Sequence, residues 1–201
     1  MHSGPRAALV TSLRSDPFYA AISAGFADDE AARAAVLTRY FDYAIAEGER
    51  IGRVATTPDG CSGVAVWTLP LEPAARASES SAKSRFLSAT LSPLGLRNYE
   101  RIIGYMAPRA ARLVSPSAWY LSIVGVAPSA QGRGCGAALV RMTLREADEA
   151  TAECYLETFE ARNLSFYARL GFAAAGSYAE PTTGATYHVL RRPPCDGRPG
   201  P

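Results

Sequence analysis

The apolar positions of this chain change period several times, and each change marks an element. The clearest alternation is SAWYLSIVGVAP (117–128), where Trp119, Leu121 and Ile123 alternate with small or polar residues ahead of two valines, as a strand requires. AECYLETF (152–159) reads as a second strong strand, and AAAGSYAE (173–180) and ATYHVLRR (185–192) as two more. RIGRVATTPDGCSGVAVWTLP (50–70) gives two strands around the turn signal Pro58-Asp59-Gly60, hence a hairpin. AALVTSL (7–13) is expected as a short first strand.

Between these runs the spacing turns helical. Asp16-Pro17 supplies a cap and a proline for a first helical position, and FYAAISAGF follows. DDEAARAAVLTRYFDYAIAEGE repeats its apolar residues at Val36, Leu37, Tyr40, Phe41 and Ala44, and Gly48 and Gly52 are expected to end it. Residues 70–117 break the strand rhythm. Their prolines predict short helical pieces such as SRFLSATL and NYERIIGYM, and Ile102, Ile103, Tyr105 and Met106 predict that this insertion packs. GAALVRMTLREADEA (136–150) reads as a helix with Ala138, Leu139, Met142 and Ala147 on one face, and NLSFYARLGF (163–172) as a short helix stopped by Gly171. The fold class predicted is α/β (α+β), one domain over 1–192, with PPCDGRPGP (193–201) expected as a disordered tail.

Composition narrows the function. The chain has 201 residues with 21 Lys+Arg against 19 Asp+Glu, and no long run of like charge, which argues against a nucleic-acid-wrapping surface. No segment approaches the length of a membrane span, and the N-terminus lacks a signal-like apolar stretch, so a cytoplasmic protein is expected. Cys61, Cys135, Cys154 and Cys195 form no C-x-x-C pair, and only His2 and His188 accompany them, so no metal ligand set can be written.

The chemistry concentrates in VAPSAQGRGCGAAL (126–139), a glycine loop between a strand and a helix. Such a loop gathers backbone N–H groups and the positive helix end around one point, which suits an anion. A P-loop needs a lysine after its last glycine, and Ala137 stands there. A dinucleotide pattern, Gly132-x-Gly134-x-x-Ala137 with Glu157 on the next strand, comes closer. The stretch from Val126 to Gly132, with Pro128 in it, delays the turn more than that pattern allows.

Val126-x-Pro128-x-x-Gln131-Gly132-x-Gly134-x-Gly136 resembles the acetyl-CoA pyrophosphate loop of the GCN5-related N-acetyltransferases (GNAT), and FYARLGF resembles that family's second conserved block. GVAVWTLP, SAWYLSIVGVAPSAQGRGCG and YLETFEARNLSFYARLGF are most similar to the puromycin N-acetyltransferase-like subgroup. The resemblance implies a mixed, mostly antiparallel sheet of six to seven strands flanked by helices, acetyl-CoA as cosubstrate and a bacterial source. It implies transfer to the amine of a small molecule, such as an aminonucleoside or another antibiotic-like amine, with a homodimer as one assembly; charge balance and the lack of a long apolar segment add the expectation of no nucleic-acid or membrane partner. An acyl-CoA-binding sensor without turnover and an enzyme acting on protein N-termini or lysines are the alternatives.

By the same resemblance, Val124, Gly125 and Val126 pair with the pantetheine arm as an added strand would. Gln131, Gly132, Arg133, Gly134, Cys135, Gly136 and Ala137 cradle the pyrophosphate. Tyr167 is the candidate acid for the CoA thiolate, its other reading being a helix tyrosine packed on the sheet. Glu157 is the candidate base, acting directly or through water, its other readings being a solvated strand-end carboxylate or an ion pair with Arg162. Asn163 is either a cofactor contact or a helix cap. Trp119 either borders the acceptor pocket or belongs to the core, and His188 is read as structural.

Overall fold

In the computed structural model, which describes residues 5–58 and 62–194, local chemistry sets most element starts. Asp16 accepts a hydrogen bond from the Phe18 N–H, and helix α2 (Pro17–Ile22) begins behind it. Asp29 accepts from Ala32 N–H to open α3 (Glu30–Ile51), and Ser92 accepts from Gly95 N–H to open α5 (Pro93–Ala110). The remaining helices are α1 (Pro5–Leu13), α4 (Pro73–Thr90), α6 (Cys135–Glu149) and α7 (Leu164–Ala168). The strands are β1 (Gly52–Thr56), β2 (Gly63–Thr68), β3 (Trp119–Val126), β4 (Cys154–Thr158), β5 (Ala173–Ala179) and β6 (Thr186–Arg192).

The six strands form one sheet in the order β1-β2-β3-β4-β6-β5. Every pairing is antiparallel except β3 with β4, which are joined through α6 as a parallel pair demands. On one face Trp67, Leu121 and Leu156 pack with Leu139 and Leu144 of α6 and Phe172. On the other, Val64, Val66 and Ile123 pack under Leu9, Ile22, Leu37, Phe41 and Leu87 from the first four helices. Leu37 and Phe41 are fully buried, each contributing about 2 kcal/mol of apolar burial. Ile102 and Met106 of α5 close over Tyr187 and Val189 of β6.

Four sequence expectations change. Residues 7–13 are helical, because the adjacent Ala8 and Leu9 are both buried, which an alternating strand on one sheet face cannot achieve. Helix α3 runs through Gly48, which lies against Val66 and Val54, and ends only at Ile51. The insertion holds two eighteen-residue helices, not short pieces: Pro73 and Pro93 start them, where a missing N–H costs nothing. In α6 the buried residues are Leu139, Val140, Thr143, Leu144 and Ala147, while Ala138 and Met142 face outward. The hairpin forms between β1 and β2, with Val54 opposite Val66. Asp59, Gly60, Cys61, His2 and residues 195–201, the greater part of the expected tail, lie outside the described residues.

One irregularity positions the site. Val66 pairs with Ile123 but its neighbour Trp67 pairs with Leu121, so β3 carries an extra residue, Ser122, whose hydroxyl donates to the Val66 carbonyl at 3.0 Å. The bulge reverses the strand's phase. Leu121 and Val124 consequently face the α6 side, while Ile123 faces the helices of the other.

Candidate active site

Strand β3 separates from its parallel neighbour immediately before the bulge. Pairing with β4 covers Trp119, Tyr120 and Leu121, whereas residues 123–126 pair with β2 alone and Glu157 and Thr158 pair with β6 alone. Ala127 N–H donates to the Ser62 carbonyl, so the alternation of an antiparallel ladder turns the polar groups of Val124 and Val126 toward the gap. The Val126 carbonyl there accepts from Gln131 Nε2 at 2.9 Å. A half-strand edge is thus left open to a ligand able to hydrogen-bond as a strand does.

The glycine loop lies at the end of that edge. Gly132 and Gly134 adopt φ of +74° and +81°, a conformation that glycine reaches without strain, and a Cβ on either would meet nothing within 4 Å. Gly134 caps α6 with no side chain involved, and the first bond back to it comes from Ala138 N–H. The N–H groups of Cys135, Gly136 and Ala137 are therefore left without helical acceptors at the positive end of α6. A cleft of about 680 Å³ joins loop and strand edge, and Arg141, Arg162 and Arg169 border it. Its backbone donors and guanidinium groups fit a pyrophosphate, and the open edge fits an amide-bearing arm.

A second cavity, of about 310 Å³, is lined by Tyr120 to Val124 of β3, Glu157 and Thr158 of β4 and side chains of the helices. Leu13, Val124, Asn163 and Tyr167 line both spaces, so the two meet at these residues. Tyr167 is buried, with its ring edge-on to Phe166 and Phe172, and burial holds its hydroxyl protonated well above the ordinary tyrosine range. Glu157 accepts from the Tyr120 hydroxyl at 3.3 Å, while its Oε1 is buried and has no hydrogen-bond partner. Burial pushes the Glu157 carboxyl up to about 7, against the lowering effect of Tyr120. Asp16 borders the same cavity: burial and then the nearby Glu160 raise its carboxyl to about 6, while the Phe18 N–H opposes them.

Residues 92–174 match the model of the acetyltransferase (GNAT) domain. The match takes in β3, the glycine loop, α6 and α7. Solved structures share the chain's fold. A protein described as histone acetyltransferase HPA2 and related acetyltransferase from Corynebacterium glutamicum is 23% identical, covers 98% of this chain and 92% of its own, and superposes with a TM-score of 0.61. An agmatine N-acetyltransferase is 13% identical over 91% of this chain and 90% of its own, TM-score 0.56. The Drosophila melanogaster polyamine N-acetyltransferase is 10% identical over 76% of this chain and 79% of its own, TM-score 0.53.

Most residues singled out from sequence converge here. Val124, Gly125 and Val126 form one wall of the cleft; Gln131, Gly132, Gly134, Cys135, Gly136 and Ala137 form its end. Arg133 does not line it, and Arg141 and Arg169 do instead. Asn163 lies at the junction and makes no side-chain cap to α7. Arg162 pairs with Glu160 at 3.0 Å and not with Glu157. Trp119 does not line the second cavity: it packs on the α6-side core below Arg53, because it lies on the other face of β3 from Tyr120. His188 shares a hydrogen bond with Ser177 at 2.8 Å in the β5–β6 ladder. Sequence reasoning missed Asp16 as a site residue by giving it only a capping role. It missed Arg141, whose signal was its place one turn beyond the glycine loop.

Among the described residues no group of three or more His, Cys, Asp or Glu is placed to hold a metal ion. No described helix is long and apolar enough to cross a membrane.

Proposed function

We propose that this protein is an acetyl-CoA-dependent N-acetyltransferase that passes the acetyl group directly to the amine of a small molecule in the cytoplasm. The observation that carries the reading is the meeting of the two spaces at Val124, Asn163 and Tyr167, with an unpartnered carboxylate oxygen, Glu157 Oε1, beside the inner one. Acetyl-CoA, when bound, supplies an activated acyl carbonyl and a thiolate leaving group. The open edge at Val124 and Val126 would hold the pantetheine arm, and the Gly132–Ala137 turn with Arg141 the pyrophosphate. The Val124 N–H, turned into the gap, is placed to polarise the carbonyl.

An alkylamine with pKa near 10 is only about one part in a thousand neutral at pH 7, so its proton must be taken. Glu157, with a carboxyl near 7, is matched to that task, and Tyr167, held protonated by burial, can supply the proton that the thiolate needs. Direct transfer requires no acyl-enzyme, which leaves Cys135 a small half-buried residue of the cleft wall. The free thiols Cys135 and Cys154 fit a reducing compartment. A cavity of about 310 Å³ favours a small molecule over a protein chain, and two structures of the same fold are described as enzymes of small amines, agmatine and polyamines.

The test is thiol release from acetyl-CoA against a panel of primary amines that includes puromycin. Release that depends on the amine supports the reading. Tight CoA binding with no amine-dependent release overturns it in favour of an acyl-CoA-binding module.

A further inference from the structure

The acceptor cavity has a far end that the transfer chemistry leaves unused. There Lys83 of α4 donates to Glu47 of α3 at 2.9 Å, and both line the cavity. Their side chains are only 34% and 12% exposed. Lys83 is also the only lysine in a sequence whose other cationic side chains are arginines, and it sits where a compact ammonium fits between two helices.

The order of groups along the cavity follows from their neighbours. Tyr19 lies near Asp16 and Tyr167; Tyr40 lies near Tyr19, Tyr99 and Glu47; Tyr99 lies near Lys83. Between the ends Phe18, Tyr19, Tyr40 and Tyr99 form an aromatic cluster, with ring centroids 5.2 to 6.3 Å apart across Phe18. The two ends differ in charge. Asp16 and Glu157 have no cationic partner among the described residues, so an amine belongs beside them. At the far end Lys83 and Glu47 already balance each other.

Resting on the acetyl-transfer reading, we propose that the acceptor is a two-ended molecule. It carries a primary amine at one end and a ring in the middle. At the other end is a neutral group presenting a hydrogen-bond acceptor and donor side by side, as a carboxamide does. The argument is one of balance. A carboxylate end would gain Lys83 but sit against Glu47, an ammonium end would do the reverse, and poor solvation makes either mismatch costly. A carboxamide offers its carbonyl to the two remaining Lys83 protons and its N–H to Glu47. The ring lies among tyrosine edges and faces, which favour another aromatic surface.

Three probes decide the matter: phenethylamine, its para-carboxamide and its para-carboxylate. In thiol-release kinetics the carboxamide should exceed the unsubstituted amine in kcat/KM by about tenfold, the worth of one or two buried hydrogen bonds, and the carboxylate should fall below both. The double variant Lys83→Met, Glu47→Met removes the pair without stranding a charge, and should bring the carboxamide preference to within about threefold of unity. Lys83→Arg, which keeps the charge, should retain part of it. Calorimetric binding of the same amines to the CoA-loaded protein reads the preference without turnover. A carboxamide preference in binding with no acetylation would sustain this inference and sink the acetyl-transfer reading. Turnover without the preference, or a preference that survives the double variant, overturns the inference alone. Failure of all three amines to bind overturns the inference and leaves the acetyl-transfer reading to the wider amine panel.

Discussion

The two halves of the site are made of different materials. The cofactor cleft is built largely from backbone: the free edge of β3, two glycines at positive φ and the first turn of α6. The second cavity, the acceptor cavity of the proposed reading, takes its polar chemistry from side chains on separate elements, among them Asp16 and Tyr19 from α2 and its cap, Tyr40 and Glu47 from α3, Lys83 from α4, Tyr99 from α5 and Glu157 from β4. Backbone recognition depends on conformation and tolerates side-chain change, whereas the cavity's chemistry alters with single substitutions. On the proposed reading, the difference separates what is activated from what is chosen as acceptor.

That division can be attacked from either side. The largest effect is expected at the shared boundary: Tyr167→Phe should lower kcat by about a hundredfold or more while acetyl-CoA binding, read by calorimetry, stays within twofold or so of wild type. Unchanged turnover would remove the hydroxyl from the mechanism. Glu157→Gln should cost about ten- to a hundredfold at pH 7 and abolish the acid limb of the kcat/KM profile, which in the wild type falls as pH drops below about 7. Stability should move in the opposite sense. The folded carboxyl titrates near 7 and the unfolded one near 4.5, so folding holds the proton more tightly and wild-type stability declines as pH rises through that window. The Gln variant does not titrate, and its Tm should gain on wild type between those two values and hold the gain above them. A constant Tm difference from pH 4 to 8 would contradict the buried-carboxylate account.

On the backbone side, Gly134→Val forces a branched residue into a left-handed conformation and should raise the KM for acetyl-CoA by about tenfold, leaving the amine KM little changed. An equal rise in both constants would mean that the two regions are not separable. The smallest effect is expected for Arg141→Ala, a few-fold loss in CoA affinity that shrinks as salt is raised.

The same contrast explains what could be read in the sequence. The cleft was legible because its parts are contiguous: Val124 to Ala137 brings strand, loop and helix start in one run, and Tyr167 follows one strand later. Strand positions, the hairpin and the Asp16 cap were also local signals. The cavity was not legible, because Glu47, Lys83 and Tyr99 lie on separate helices whose packing no local pattern specifies. Residues 7–13 misled because Ala, Leu, Val and Thr suit a strand as well as a helix; the contact of Leu9 and Ser12 with Gly125 decides for the helix. Trp119 was ambiguous because alternation groups it with Leu121 without saying which face of the sheet meets the cavity.

That extra residue has a consequence for how such a protein can diversify. An added residue is present or absent and has no intermediate dose, so the fork between β3 and β4 cannot be opened by degrees through point substitution. Deleting Ser122 would extend the parallel ladder toward Glu157 and rotate Ile123 and Val124 onto opposite faces in a single event. On the proposed reading, point substitutions in the helices around the cavity can explore new acceptors while the fork itself is inherited intact.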